Sequence, residues 1–435
     1  MKQYFASLTI LTLFQLNVQA GLTFQGNSLP VVAVSPSPSS GLETVYVLSE
    51  TSGVTVSYDG ATSVKWSRFG ANGAAYAEQI ATSQSIALER ADYGYIADVD
   101  GKEHYFWIVN YQNHYFDVTS LQPDQSQSDC QRTFLSFEGT AAPIIYYTIN
   151  GRNQELDREI RLRYTSLSYD SDASYYRPVE IEESFPSITS YISVEAPLCN
   201  TDFSISGDRF LKAWGSPVEF KTSVMQAYAL SAETSATQVE RDIDNEQQVA
   251  GVALGGSAPS EITFTAAITD AASFYEWQLA NNSQFDPIVD RYSQTELTYT
   301  FRNQGTTYVR FFAANADGEC EYYSPVYEIS IGESSLLCPN AFSPQSSPGV
   351  NDEWKVSYKS IISFDCHIFN RWGTEVCSFS DPSQGWDGKY NGKYVPAGTY
   401  YYVIKARGAD GRDYKLSGDI NIIGSKNINS SDANL

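Results

Sequence analysis

The chain has 435 residues, 42% of them hydrophobic, enough to bury several cores and to argue against wholesale disorder. Its formal charge of −23 and pI near 4.4 repel phosphate backbones, which argues against a nucleic-acid partner. Tyr (31) and Phe (22) far outnumber Met (2), and with many short Val, Ile and Thr runs this favours strands over helices.

Residues 1–20 carry Lys2, an apolar stretch from Phe5 to Leu16, and Val18-Gln19-Ala20. That is the order of a signal peptide, so the Sec machinery is the expected exporter and cleavage is expected after Ala20. The apolar run is shorter than the roughly 20 residues a membrane span needs. No later segment is long and apolar enough either, so no membrane span is expected.

Six cysteines remain: Cys130, Cys199, Cys320, Cys338, Cys366 and Cys377. Their spacing lacks the CxxC pairs of a zinc site, and an even count in an oxidising compartment points to disulfides. Neighbour pairing is the expectation: Cys130 with Cys199, Cys320 with Cys338, Cys366 with Cys377.

Residues 21–111 read as short strands: Val45–Leu48, Val54–Val56, Val64–Ser67, Ile86–Leu88, Tyr95–Val99 and Tyr105–Val109. Asp59-Gly60 and Asp100-Gly101 are hairpin-turn dipeptides. A Trp on a middle strand followed by "ADYGYIADV" resembles an immunoglobulin-like sandwich with its tyrosine corner, although the usual cysteine pair is absent. A second β-rich block, 112–224, holds a hairpin candidate around Asn150-Gly151. Arg158, Arg161 and Arg163 beyond it read as alternating charge on the wet face of a strand.

The third block spans 225–335. Its polar, acidic, Gly/Ser-rich stretch 231–260 reads as a linker or long loop. Trp277, an aromatic-Thr strand and Gly305-Thr-Thr-Tyr-Val-Arg then resemble a PKD/Ig-type module. The fold class expected is all-β: tandem antiparallel β-sandwiches (Ig-like).

The C-terminal segment 336–424, followed by a tail 425–435, is the most distinctive. Asn370-Arg371-Trp372-Gly373 makes a four-residue hairpin loop with Gly available for positive φ. Centred there, Cys366 and Cys377 stand opposite at a non-hydrogen-bonded pair, the geometry expected for their disulfide. Asp387-Gly388 and Asn391-Gly392 mark turns, Trp386 reads as core, and Pro396-Ala397-Gly398 breaks the chain before the strand containing Tyr400.

These pieces follow one another as Pro339-Asn340-Ala341-Phe342-Ser343-Pro344, Val350-Asn351-Asp352, Ile368 to Gly373, Gly385 to Gly392, Val395 to Tyr402 and Lys415 to Gly418. In content and order they resemble the gliding-motility-associated C-terminal domain, the type B sorting domain of the type IX secretion system. The resemblance implies that the folded surface is an address read by an outer-membrane translocon after Sec export. It places the protein secreted or attached outside a Gram-negative outer membrane. One departure is Gln345-Ser-Ser-Pro-Gly349, where the family commonly has Asn-Gly-Asp-Gly. That loss of acidic oxygens puts any cation site of relatives in doubt here.

Catalytic motifs are missing: there is no HExxH, GxSxG or P-loop. His104, His114 and His367 read as structural or surface imidazoles. "DVDG" (98–101) and "DIDN" (242–245) lack the continuation of an EF-hand loop. No cofactor or metal is expected. The reading is a non-enzymatic secreted protein, its first three blocks a rod of adhesive modules with a glycan or surface-protein ligand. The alternatives are a carbohydrate-active hydrolase in 112–224 and a structural component of a surface or gliding apparatus.

Overall fold

The computed structural model describes residues 21–247, 251–344 and 349–423. The signal-peptide reading, the tail 425–435 and most of the Gln345–Gly349 departure lie outside them. Strands dominate, and among the described residues the one α-helix is the five-residue Arg209–Ala213. The chain divides into two compact units, Met1–Ser166 with Val179–Gln226, and Leu167–Pro178 with Ala227–Leu435.

The first unit opens with a sandwich. A three-stranded sheet (Leu22–Gln25, Thr55–Tyr58, Ser85–Ala87) and a six-stranded sheet share a core of Val56, Trp66, Tyr95, Phe106 and Ile108. Within the larger sheet Thr44–Leu48 runs parallel to Lys102–Asn110, a departure from the all-antiparallel expectation. The Tyr95 hydroxyl donates to the Arg90 carbonyl, which is the tyrosine corner. The Asp100-Gly101 dipeptide turns Tyr93–Val99 into Lys102–Asn110, both residues at positive φ (53° and 85°).

The second block is not insulated from the first. Val45, Val47, Phe69 and Trp107 join Phe116, Leu135, Ile160, Ile205 and Phe210 in one continuous hydrophobic cluster. Arg158 corrects the wet-face reading. Arg161 and Arg163 do stand on an outer face, at 3.3 and 2.5 Å from Glu182. Arg158 instead lies between the strands Asn153–Leu156 and Ile160–Asp170, fully buried against Asp208 at 2.9 Å. Alternation applies only within a strand, and Arg158 is outside one.

In the second unit, Trp277 sits between Phe264 (5.4 Å) and Phe311 (5.0 Å) at the centre of a sandwich. The 231–260 stretch is not simply a linker. Ala232–Gln238 is a strand paired residue for residue with Ile262 to Ile268. Its inward positions hold only Ala, Thr and Gln, so backbone hydrogen bonds rather than apolar side chains carry the pairing.

The C-terminal domain is a five-stranded sheet in the order Ala341–Phe342, Asp413–Ile422, Gly398–Gly408, Ile361–Phe369, Glu375–Phe379. Its inner face packs Cys366, Ile368, Ile404 and Ile420 against Trp354, Val356 and Trp386. The Asn391-Gly392 turn is as expected, with φ of 52° and 78° closing the Lys389–Tyr390/Lys393–Tyr394 ribbon.

The cysteines depart from neighbour pairing. The Asn370 amide donates to the Thr374 carbonyl, and a bulge follows, so Ile368 pairs with Cys377 and Cys366 with Phe379. Cys366 and Cys377 are therefore diagonal neighbours and both keep thiols, as does Cys338. The Cys199 thiol donates to the Thr165 carbonyl at 3.7 Å, whereas Cys130 and Cys320 are disulfide-bonded. Burial pushes the Cys366 thiol up to about 12, with Cys338 and Cys377 adding to it. Thiol titration of the denatured, unreduced chain should find Cys338, Cys366 and Cys377 reactive and Cys130 and Cys320 not. Full neighbour pairing would leave none reactive. In the native chain, Cys366 should resist alkylation at pH 8, because almost none of it is thiolate.

Candidate functional site

The Asn370–Gly373 tip is built by short-range bonds. The Asn370 side-chain oxygen accepts from the amides of Trp372 (3.0 Å) and Thr374 (2.9 Å), and the Gly373 amide donates to the Asn370 carbonyl (3.0 Å). Gly373 has φ 83°, which a side chain would strain. This turn holds Arg371 and Trp372 outward. The Trp372 ring is 69% exposed, and the Arg371 guanidinium stacks 4.2 Å from its centroid. Trp372 is thus not a folding residue, in contrast to Trp386.

The tip continues onto the outer face of the sheet. Phe369 pairs with Tyr401 and His367 with Val403, and Tyr401 and Val403 are both exposed. His367 lies between the Glu375 (2.9 Å) and Asp365 (3.2 Å) carboxylates, which accept from its ring N–H groups, and it stacks on Phe369. The Glu375 hydrogen bond chiefly, with help from Asp365, raises the imidazole's affinity for its proton. Aromatic and aliphatic side chains rimmed by mixed charge make a surface suited to protein contact. Charge is distributed to match. Residues 336–424 carry nine Lys/Arg against nine Asp/Glu, while residues 21–335 carry 17 against 41, so the chain's acidity lies almost wholly outside this domain.

The remaining motif residues hold the sheet in shape. Phe342 and Tyr400 flank the Trp386 ring at 5.5 and 5.1 Å, and the Trp386 indole donates to the Lys389 carbonyl at 2.9 Å. Trp386 and Trp354 exchange backbone hydrogen bonds at 2.9 and 3.0 Å. Asp387 accepts from the Lys389 amide (3.0 Å) and ammonium (2.7 Å). A Cβ at Gly388 would stand 3.1 Å from Pro344, so the turn passes close to it. The Tyr400 hydroxyl donates to the Pro396 carbonyl at 3.1 Å, just before Gly398 at φ 152°. The Asn340 carbonyl accepts from the Asn421 amide (2.9 Å), and the Asn351 carbonyl from Ser343 (2.9 Å). Asp352 accepts from the Gly349 amide at 2.5 Å.

Elsewhere, His104 is held by Glu43 (2.8 Å) and His114 by Asp92 (3.2 Å). The "DVDG" carboxylate of Asp98 accepts from Gly101 at 3.0 Å, as a turn does. Among the described residues no group of three or more His, Cys, Asp or Glu is placed to hold a metal ion. No helix among them is long and apolar enough to cross a membrane.

The fold therefore defines a multidomain protein of tandem all-β sandwich modules. Two of its segments carry recognisable families: residues 336–422 match the CHU_C Type IX secretion signal domain, and residues 122–222 match a fibronectin type III domain. Neither match is to an enzyme family. The type IX match marks the protein for export through that system, to the cell surface or beyond it.

Three solved structures align with the chain at low identity. A tetra-tandem repeat in the extending region of a large adhesion protein is 12% identical, covering 85% of this chain and 95% of its own, with a TM-score of 0.22. The FN1–FN3 domains of chicken CNTN1 are 12% identical, covering 70% and 98%, with a TM-score of 0.26. Dimeric latent PorU from Porphyromonas gingivalis is 9% identical, covering 76% and 36%, with a TM-score of 0.16. No curated protein matches the chain.

Proposed function

We propose that this is a non-enzymatic binding protein of the cell exterior, its first three blocks acting as adhesive modules and its C-terminal domain as the address that the type IX outer-membrane translocon reads. The observation carrying the address is the family match over residues 336–422, on a sheet with an outward aromatic strip. The exposed members of the motif, Arg371 and Trp372 with Tyr401 and Val403 beside them, are the contact residues in this reading; the buried members fold the sheet. Sec export precedes this step, through residues 1–20. The adhesive role rests on the fibronectin type III match and the run of β-sandwich modules, whose loops and faces commonly present binding surfaces. Its ligand class is a glycan or a surface protein.

Deleting residues 338–435 should leave the protein in the periplasm and remove it from the cell surface and medium, as followed by fractionation. Efficient arrival outside without those residues would end the address reading. For the modules, the full chain should bind at least one member of a panel of glycans and surface-matrix proteins. Silence across the panel would count against adhesion.

A further inference from the structure

We infer that the sorting address of this chain is composite: residues 241–247, far upstream of the domain itself, are a structural part of it, and the address is complete only when they are docked. The inference rests on the sorting reading above. The family match begins at residue 336, so it leaves this segment out.

The segment lies between two paired strands of the third sandwich, Ala232–Gln238 and Ser260–Ile268. It then docks as an added strand beside Ser357–Lys359. The Tyr358 amide donates to the Asn245 carbonyl (3.0 Å), the Gln247 amide to the Tyr358 carbonyl (2.7 Å), and Glu246 bridges Tyr358 in parallel. The Asn245 side-chain amide donates to two carbonyls of the C-terminal domain, Val356 and Pro382, each at 2.8 Å. Gln247 spans Ser357 (2.8 Å) and Ser335 (3.1 Å), and Ile243 packs on the domain's hydrophobic core. Glu246 is buried there, with Arg241 at 2.9 Å.

Without the segment, the edge of Ser357–Lys359 and the Val356 and Pro382 carbonyls lose their partners, and the core beneath Ile243 opens. Buried backbone groups need partners, and an open strand edge is a liability. The consequence is a coupling. Because the segment is strung between two strands of the third sandwich, the address closes when that sandwich has folded. An unfolded third module would carry an incomplete address. Asn245 is a positioning residue in this scheme, since it acts through Val356 and Pro382 rather than by contact with the translocon.

The test uses the full chain. Asn245→Ala removes both side-chain bonds, so amide protection across 354–360 should fall roughly ten- to a hundredfold, as expected for two half-buried hydrogen bonds lost from one local unit. Protection across 262–331 should hold, and the exported fraction should fall severalfold. Asn282→Ala, which breaks loop bonds of the third sandwich away from this segment, should leave export unchanged. If Asn245→Ala does not accumulate, Gln247→Ala removes only the two outer bonds and should give a smaller fall in the same two readouts. Unchanged protection at 354–360, or lost protection with undiminished export, would overturn the composite address. If deleting 338–435 itself spares export, the sorting reading fails instead, so the two failures are distinct.

Discussion

Replacing Arg158 by Met is expected to destabilise the first unit by about 3–5 kcal/mol, the range for removing one partner of a buried ion pair. The guanidinium is fully buried and spends its donors on Asp208 (2.9 Å), the Ala142 carbonyl (2.9 Å) and the His114 carbonyl (2.6 Å). Asp208 in turn accepts from the Tyr111 hydroxyl (2.9 Å) and from the Phe210 and Leu211 amides (3.1 and 3.2 Å) at the start of the short helix. Met fills much of the volume but leaves a carboxylate without its counter-charge and two carbonyls without donors. Burial, followed by the Asp208 charge, pushes the Tyr111 hydroxyl well above the usual phenol range, so it stays a donor and offers no compensating cation. Hydrogen exchange across residues 160–166 and Ser204–Gly207 is the measurement. The double variant Arg158→Met/Asp208→Asn should recover much of the loss, because it discharges the site while keeping an oxygen for the helix amides. A single variant within 1 kcal/mol of the parent would show that the pair is dispensable.

Trp386→Ala and Trp372→Ala should separate scaffold from address. Trp386 is buried between Phe342 and Tyr400 and anchors the Lys389 carbonyl, so truncation should cost the C-terminal domain about 3–5 kcal/mol. Trp372 is exposed and its removal should cost less than about 0.5 kcal/mol. Export should nonetheless fall about tenfold for Trp372→Ala, the scale of an exposed aromatic hot spot at an interface. Denaturation of the purified chain and the extracellular fraction read the two effects independently. A Trp372→Ala protein exported like the parent would remove the tip from the contact surface. One that unfolded like Trp386→Ala would make Trp372 structural after all.

Much of the C-terminal domain was legible because its information is local. Asn391-Gly392 demands positive φ at two adjacent residues, whatever the rest of the chain does. The tyrosine corner is equally local, spanning Arg90 to Tyr95. The cysteines failed for the opposite reason. A loop one residue longer than expected, with Phe369 opposite Glu375, and a one-residue bulge beyond it moved Cys377 from opposite Cys366 to opposite Ile368, and a disulfide tolerates no such slip. The strand Ala232–Gln238 was illegible because it lacks an apolar alternation; its partner Ser260–Ile268 supplies what specifies it.

Taken alone, the sequence settled the all-β class, the turns that punctuate it and the C-terminal address motif, since period-two alternation and glycine-dependent turns act over a few residues. Only the tertiary structure decided that Arg158 is buried, that Trp372 faces outward, that two particular cysteines are oxidised, and that residues 241–247 pair with Ser357–Lys359 far downstream. Each of those depends on which distant backbone supplies the neighbour, and that choice is made by packing across the whole unit rather than by any short stretch.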